Sequence, residues 1–171
     1  MPESRPGAAR GLLLLLLAVF LAQCVHGLLT KSGTCDELGA HLPSGILAWK
    51  SGTFAGGVAN PPLAQRLVAA GPVLTGTADR PLGDSPRHLL PARLPVVLLG
   101  IVTVLATGAL GRRLAGEVGG LAAAGAAALS PNLIAHSRLA TLDLPVTAFG
   151  TLACLAAWTF ARTGARSALA G

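Results

Sequence analysis

Charged residues make up only 12% of this chain, so the places where they gather are informative. Asp36 and Glu37 stand side by side just past a long apolar run, in the stretch TCDELGAHLPSGILAWKSGTFAGGVANPPL, residues 34–63. Near a membrane interface, desolvation raises a carboxyl pKa, which suits a general base. A capping role competes, since Asp is a good N-cap and Glu suits a first helical turn. His41 follows Glu37 by four residues, on one helix face. That spacing fits a metal pair or, more simply, a hydrogen-bonded histidine. Lys50 and Arg66 are cations of the kind that hold a phosphate; each is also an ordinary exposed or snorkelling side chain. A second constellation is SRLATLD, residues 137–143, where Arg138 and Asp143 meet in a turn between two apolar runs. Either both face a polar cavity at the membrane surface, or Asp143 caps the next helix and Arg138 snorkels.

The elements that must position these groups are apolar helices. Just over half the residues are apolar, mean hydropathy is +0.64, and a soluble domain usually carries about twice the charge seen here. The net charge of +6 is scattered, with no aromatic-basic stripe, which excludes a nucleic-acid partner. Three cysteines make no disulfide framework. Cys24 and Cys154 sit inside apolar runs, and Cys35 reads as an incidental thiol.

Residues 1–10 are a short basic cytoplasmic N-terminus, and residues 11–29 carry no charge. At 1.5 Å per residue the latter span roughly 28 Å, the hydrocarbon thickness. A cleaved signal peptide is the rival reading; the apolar runs downstream favour a retained span. Residues 30–93 form a long outer loop with short interfacial helices, one over 35–50 interrupted by Pro43 and one after Pro61-Pro62. Residues 76–91 read as loop. Further spans are predicted over 94–111, 118–136 and 144–161, with an outer turn at 137–143 and a cytoplasmic end at 162–171. The Ala- and Gly-rich third run suits close helix packing, and Ser130-Pro131 inside it also fits a re-entrant segment. The fold class is therefore an all-α membrane protein with about four transmembrane helices. Arg5 and Arg10, Arg112-Arg113, and Arg162 with Arg166 all fall on one side, as the positive-inside rule requires. Parity then places Asp36-Glu37 and the 137–143 turn together on the outer side.

Two stretches carry a family resemblance. CDELGAHLPSGILAWKSGTF with NPPLAQRLVA resembles the first outer loop of polyprenyl-phosphate-sugar-dependent glycosyltransferases, among them the protein O-mannosyltransferases and the lipid A aminoarabinose transferases. RLPVVLLGIVTVLATGALGRRLAG with ALSPNLIAHSRLATLDLPVTAF resembles the following spans and their Arg…Asp turn. Together they cover residues 35–160, the N-terminal portion of a GT-C fold with many more spans. The resemblance implies inverting transfer of a sugar from a polyprenyl-phosphate donor to a protein hydroxyl or envelope glycolipid at the outer face. Asp36 would be the base, Glu37 its support or an acceptor contact, and Arg138 and Asp143 part of the site near the lipid phosphate. His41, Lys50 and Asn60 are further substrate-binding candidates. Asn60 precedes Pro61-Pro62 where relatives usually carry a charged or histidine side chain, and no specific cofactor is implied beyond an open divalent-metal requirement. Two non-transferase readings stand beside this one: a small membrane subunit packing through the third run, and a transporter portion with Arg138 and Asp143 lining a pathway.

The topology has a direct test. Cysteines substituted at Ser51 and Thr77 should label from outside intact cells, and one at Gly116 should not. Outside labelling at Gly116 would overturn the shared outer face.

Overall fold

The structure, a computed structural model, describes residues 6–164. Arg5 and Arg166, two of the basic residues used for orientation, lie outside them. Six α-helices follow in order: α1 (Pro6–Thr30), α2 (Leu42–Ser51), α3 (Pro62–Leu74), α4 (Pro86–Ala128), α5 (Pro131–Ser137) and α6 (Asp143–Thr163). A π-helical turn, Glu37–His41, leads into α2, and a short 3₁₀ turn, Ala55–Gly57, precedes α3. The described residues contain no strand. By length and composition, α1, α4 and α6 are long and apolar enough to cross a membrane.

The π turn is where Pro43 leaves its mark. Proline supplies no N–H and its ring presses on the carbonyl four residues earlier, which would break a regular helix here. The chain widens by one residue instead: the Leu42 N–H bonds to the Glu37 carbonyl, five residues back. The helix therefore continues through Pro43, where the sequence suggested an interruption.

The α4 helix corrects two sequence expectations. Residues 76–91 were expected to be loop, yet α4 starts at Pro86 and carries Pro91 and Pro95 inside it. Pro86 lies in the first turn, where its missing N–H costs nothing. Because Pro95 has no N–H, the Pro91 carbonyl has no helical donor four residues on. Gly71 of α3 packs directly on that carbonyl, so closely that a Cβ there would lie 1.7 Å from the oxygen. The third apolar run, 118–136, is also not one helix: it breaks at Leu129 and Ser130. Between the second and third runs the chain folds back at Ala115 and Gly116, where Gly116 takes φ +70, a conformation that suits glycine. The returning arm ends at Ala128, and α5 restarts after Ser130, whose side chain accepts from the Leu133 N–H.

Small residues let the two arms of α4 close on each other. A Cβ on Gly111 would lie 2.6 Å from that of Ala123 and 2.7 Å from the Gly119 carbonyl. Gly108 meets Ala124 and the Gly120 carbonyl in the same way. In lipid such close backbone approach replaces the missing hydrophobic drive between helices.

Two apolar clusters divide the interior. Phe20, Cys24 and Leu28 of α1 pack with Val97, Val104, Ala124 and Ile134. Leu42, Ala64 and Val68 of the loop helices pack with Leu89, Ala92, Val96, Ala140 and Leu144. The first cluster belongs to the spans and the second roofs them with the loop helices. Arg93 falls in the sequence between Ala92 of the roof and Val97 of the spans.

Candidate active site

The acidic pair splits into two roles. Glu37 is fully buried and Asp36 is exposed. Thr34 starts the helix that contains both. Its hydroxyl accepts from the Glu37 N–H at 3.3 Å, and the Glu37 carboxylate reaches back to the Thr34 N–H at 3.0 Å. This is a reciprocal capping box, and the Thr-x-x-Glu spacing that signals it is present in the sequence. Capping thus falls to Thr34 and Glu37. The Asp36 side chain makes no capping hydrogen bond.

Glu37 does more than cap. Arg93 donates to it through Nε at 2.8 Å and Nη2 at 2.7 Å, a bidentate pair in which both side chains are fully buried. The same guanidinium donates from Nη1 to the Lys31 carbonyl and from Nη2 to the Ser32 carbonyl, at 2.7 and 2.9 Å. The Ala140 N–H completes the carboxylate at 2.7 Å. One charge pair therefore ties the end of α1, the acidic segment, α4 and the 138–143 turn together. Burial pushes the Glu37 carboxyl pKa up. The Arg93 hydrogen bonds, the Ala140 and Thr34 N–H groups and the Arg93 charge outweigh it and hold the pKa below the ordinary carboxylate value.

The other sequence candidates separate into two groups. Arg138 is half-buried and lies over Gly27 of α1, where a Cβ would meet its Cδ at 2.1 Å. Asp143 opens α6 without a side-chain capping bond, which corrects the capping expectation. Its Oδ2 lies 3.3 Å from His136 Nδ1, with both side chains partly exposed. Arg138, Asp143 and His136 thus flank the Ala140 turn that Glu37 anchors. Lys50 instead pairs with Asp79 in the loop. Arg66 stacks over Trp49 and Phe54, at 5.7 and 5.2 Å from the ring centres. Asn60 is half-buried, with its N–H on the Gly57 carbonyl, which also accepts from buried Gln65 at 2.6 Å. His41 is half-buried, and its Nδ1 has no hydrogen-bond partner among the described residues. Its expected pairing with Glu37 is not available, because Arg93 holds that carboxylate. No three His, Cys, Asp or Glu side chains gather among the described residues.

Sequence reasoning missed Arg93, Thr34, His136 and the Ala140 N–H. Arg93 stood only as the last residue of the expected outer loop, just before the span predicted over 94–111. Its signal was the 18 uncharged residues that follow it, which leave it no partner along its own helix.

Breaking a buried pair leaves an uncompensated charge, and removing one partner typically costs about 3–5 kcal/mol. Arg93→Ala and Glu37→Gln should each lower unfolding stability in detergent by about that amount. The sign with pH follows from the lowered pKa. The Glu37 contribution should be complete above the ordinary carboxylate pKa of about 4.3 and fade as pH falls through the folded value. Acid titration of the wild type against Glu37→Gln checks this; identical acid-unfolding curves would remove Glu37 as the anchor.

The comparisons with known proteins agree with a membrane transferase. No curated protein and no solved structure matches the chain. A family model, described as dolichyl-phosphate-mannose-protein mannosyltransferase, matches residues 85–170, from the residue before α4 to the end of α6 and beyond. That match takes in Arg93, the arms of α4, His136, Arg138, the Ala140 turn and Asp143, and it spans half of the sequence, so the chain belongs to the dolichyl-phosphate-mannose-protein mannosyltransferase family.

Proposed function

We propose that the chain carries the acceptor-activating part of a membrane glycosyltransferase that takes its sugar from a polyprenyl-phosphate donor. The observation that supports this most directly is the Glu37 anchor. It fixes Asp36, exposed and relieved of capping, one residue away from a carboxylate bonded to the 138–143 turn. That turn carries Arg138 and Asp143, the groups assigned to the donor phosphate.

In this reading Asp36 accepts the proton of an acceptor hydroxyl as its oxygen attacks the anomeric carbon. The new carbon–oxygen bond forms on the face opposite the phosphate, so the configuration inverts. The bond from the anomeric carbon to the phosphate oxygen breaks, its electron pair stays on that oxygen, and polyprenyl phosphate departs. Arg138 stabilises the leaving charge. Glu37 serves as a positioning residue and does not touch the acceptor, because its oxygens are taken by Arg93, Ala140 and Thr34. The acceptor is a protein hydroxyl or an envelope glycolipid, and the reaction faces the outside of the membrane.

Asp36→Asn keeps the shape and removes the proton acceptor. General-base catalysis is typically worth 10²–10⁴-fold, so sugar transfer should fall by about that factor. The measurement uses membranes in which the wild-type chain supports transfer from a labelled polyprenyl-phosphate sugar. Stability should be unchanged, since Asp36 is exposed and caps nothing. Arg138→Ala should chiefly raise the donor concentration needed for half-maximal rate. Near-normal transfer by Asp36→Asn would sink the base assignment.

A further inference from the structure

A cleft of about 200 Å³ lies where the loop after α3 folds against the first turns of α4. Thr77 and Arg80 line it from the loop, and Arg87 and His88 from the helix. None of the residues of the 137–143 turn lines it, so it is a separate place from the candidate active site.

Its cations are uncommitted. Neither the Arg80 nor the Arg87 side chain makes an ion pair or hydrogen bond among the described residues. Of the acidic neighbours in sequence, Asp79 pairs with Lys50, and neither Asp79 nor Asp84 lines the cleft. His88 is set by close packing: a Cβ on Gly83 would lie 2.6 Å from its Nδ1. The start of α4 adds to the positive potential, since the Ser85 side chain makes no capping bond there. Two planar forks and an imidazole around a small cleft suit a tetrahedral oxyanion.

Depth identifies how such an anion arrives. Arg87 precedes Arg93 by six residues, about 9 Å along the helix, and the uncharged run begins at Leu94. The cleft therefore stands at headgroup height if α4 crosses the bilayer. Leu74, 80% exposed, and Leu82, 37% exposed, flank this loop as apolar shoulders. We propose that the cleft binds a phosphate group, presented by an anionic phospholipid headgroup of the surrounding bilayer.

Native mass spectrometry of the purified chain in detergent tests this. Phosphatidylglycerol or phosphatidylcholine is added, with inorganic phosphate as a competitor. One phosphatidylglycerol should be retained in preference to phosphatidylcholine. Arg80→Gln with Arg87→Gln should lower that retention about tenfold to thirtyfold. His88→Gln alone should give a smaller loss, and Arg113→Gln, at the bend of α4, none. Circular dichroism checks that the helices survive. Resistance of the adduct to millimolar phosphate identifies the lipid as the ligand. Displacement by phosphate, with phosphate alone protecting the same arginines from phenylglyoxal, identifies the free anion at the same site. Equal retention by the wild type and the double variant, without phosphate protection, would overturn the site.

Discussion

Arg93 is a guanidinium placed where the apolar interior begins, and the rest of the molecule is arranged so that it can be tolerated there. A buried charge is stable only when it is paired and hydrogen-bonded on nearly every side. Glu37 supplies two of those bonds, and the carbonyls of Lys31 and Ser32 supply two more. Each partner comes from a different part of the chain from Arg93 itself, so satisfying one charge organises three connections at once. The end of α1 must stop beside α4. The acidic segment must return to it. The 138–143 turn must offer its Ala140 N–H. The pair is thus better understood as a specification of geometry than as a net source of stability, since apolar replacements of such pairs are often no less stable.

That geometry has a direct bearing on chemistry. Adjacent carboxylates repel, and a helix turn gives them different surroundings. Here Glu37 is neutralised by its partner, which leaves Asp36 as the exposed acid of the pair. In the proposed reading, that exposed carboxylate just outside a span deprotonates a hydroxyl where the lipid phosphate is presented. The glycine-lined fold-back of α4 contributes by returning the chain across the interior. The 138–143 turn can then approach residues a hundred positions earlier in sequence.

Much of the frame was legible in the sequence. Charge-free runs of membrane length marked the existence of α1 and α6, because nothing in them competes with a helix, although α1 starts at Pro6, five residues before its charge-free run. The loop helices were legible as the helix expected over 35–50 and the one opened by Pro61-Pro62. The start of α4 was not, because Pro91 and Pro95 read locally as breakers. Gly71 of α3 packs directly on the Pro91 carbonyl, and no pattern within α4 reveals that contact. The candidate site was half legible. Carboxylates and cations announce themselves by type, so Asp36, Glu37, Arg138 and Asp143 were found. The partner of Glu37 lies 56 residues away, and another of its donors is a backbone N–H, which has no signature in a sequence. The local Thr-x-x-Glu box could have been recognised, and it would have removed Asp36 from the list of caps.

Gly27 adds a mechanical property to this arrangement. Arg138 rests on it as on a flat shelf, with its guanidinium across a helix surface that has no side chain at that point. Turning α1 by one residue, about 100°, would bring the side chain of His26 or Leu28 under the cation and lift it away. The axial rotation of the first helix and the placement of the turn's positive charge therefore form a single degree of freedom. Any force that twists α1 within the bilayer is transmitted to the charge proposed to face the departing phosphate.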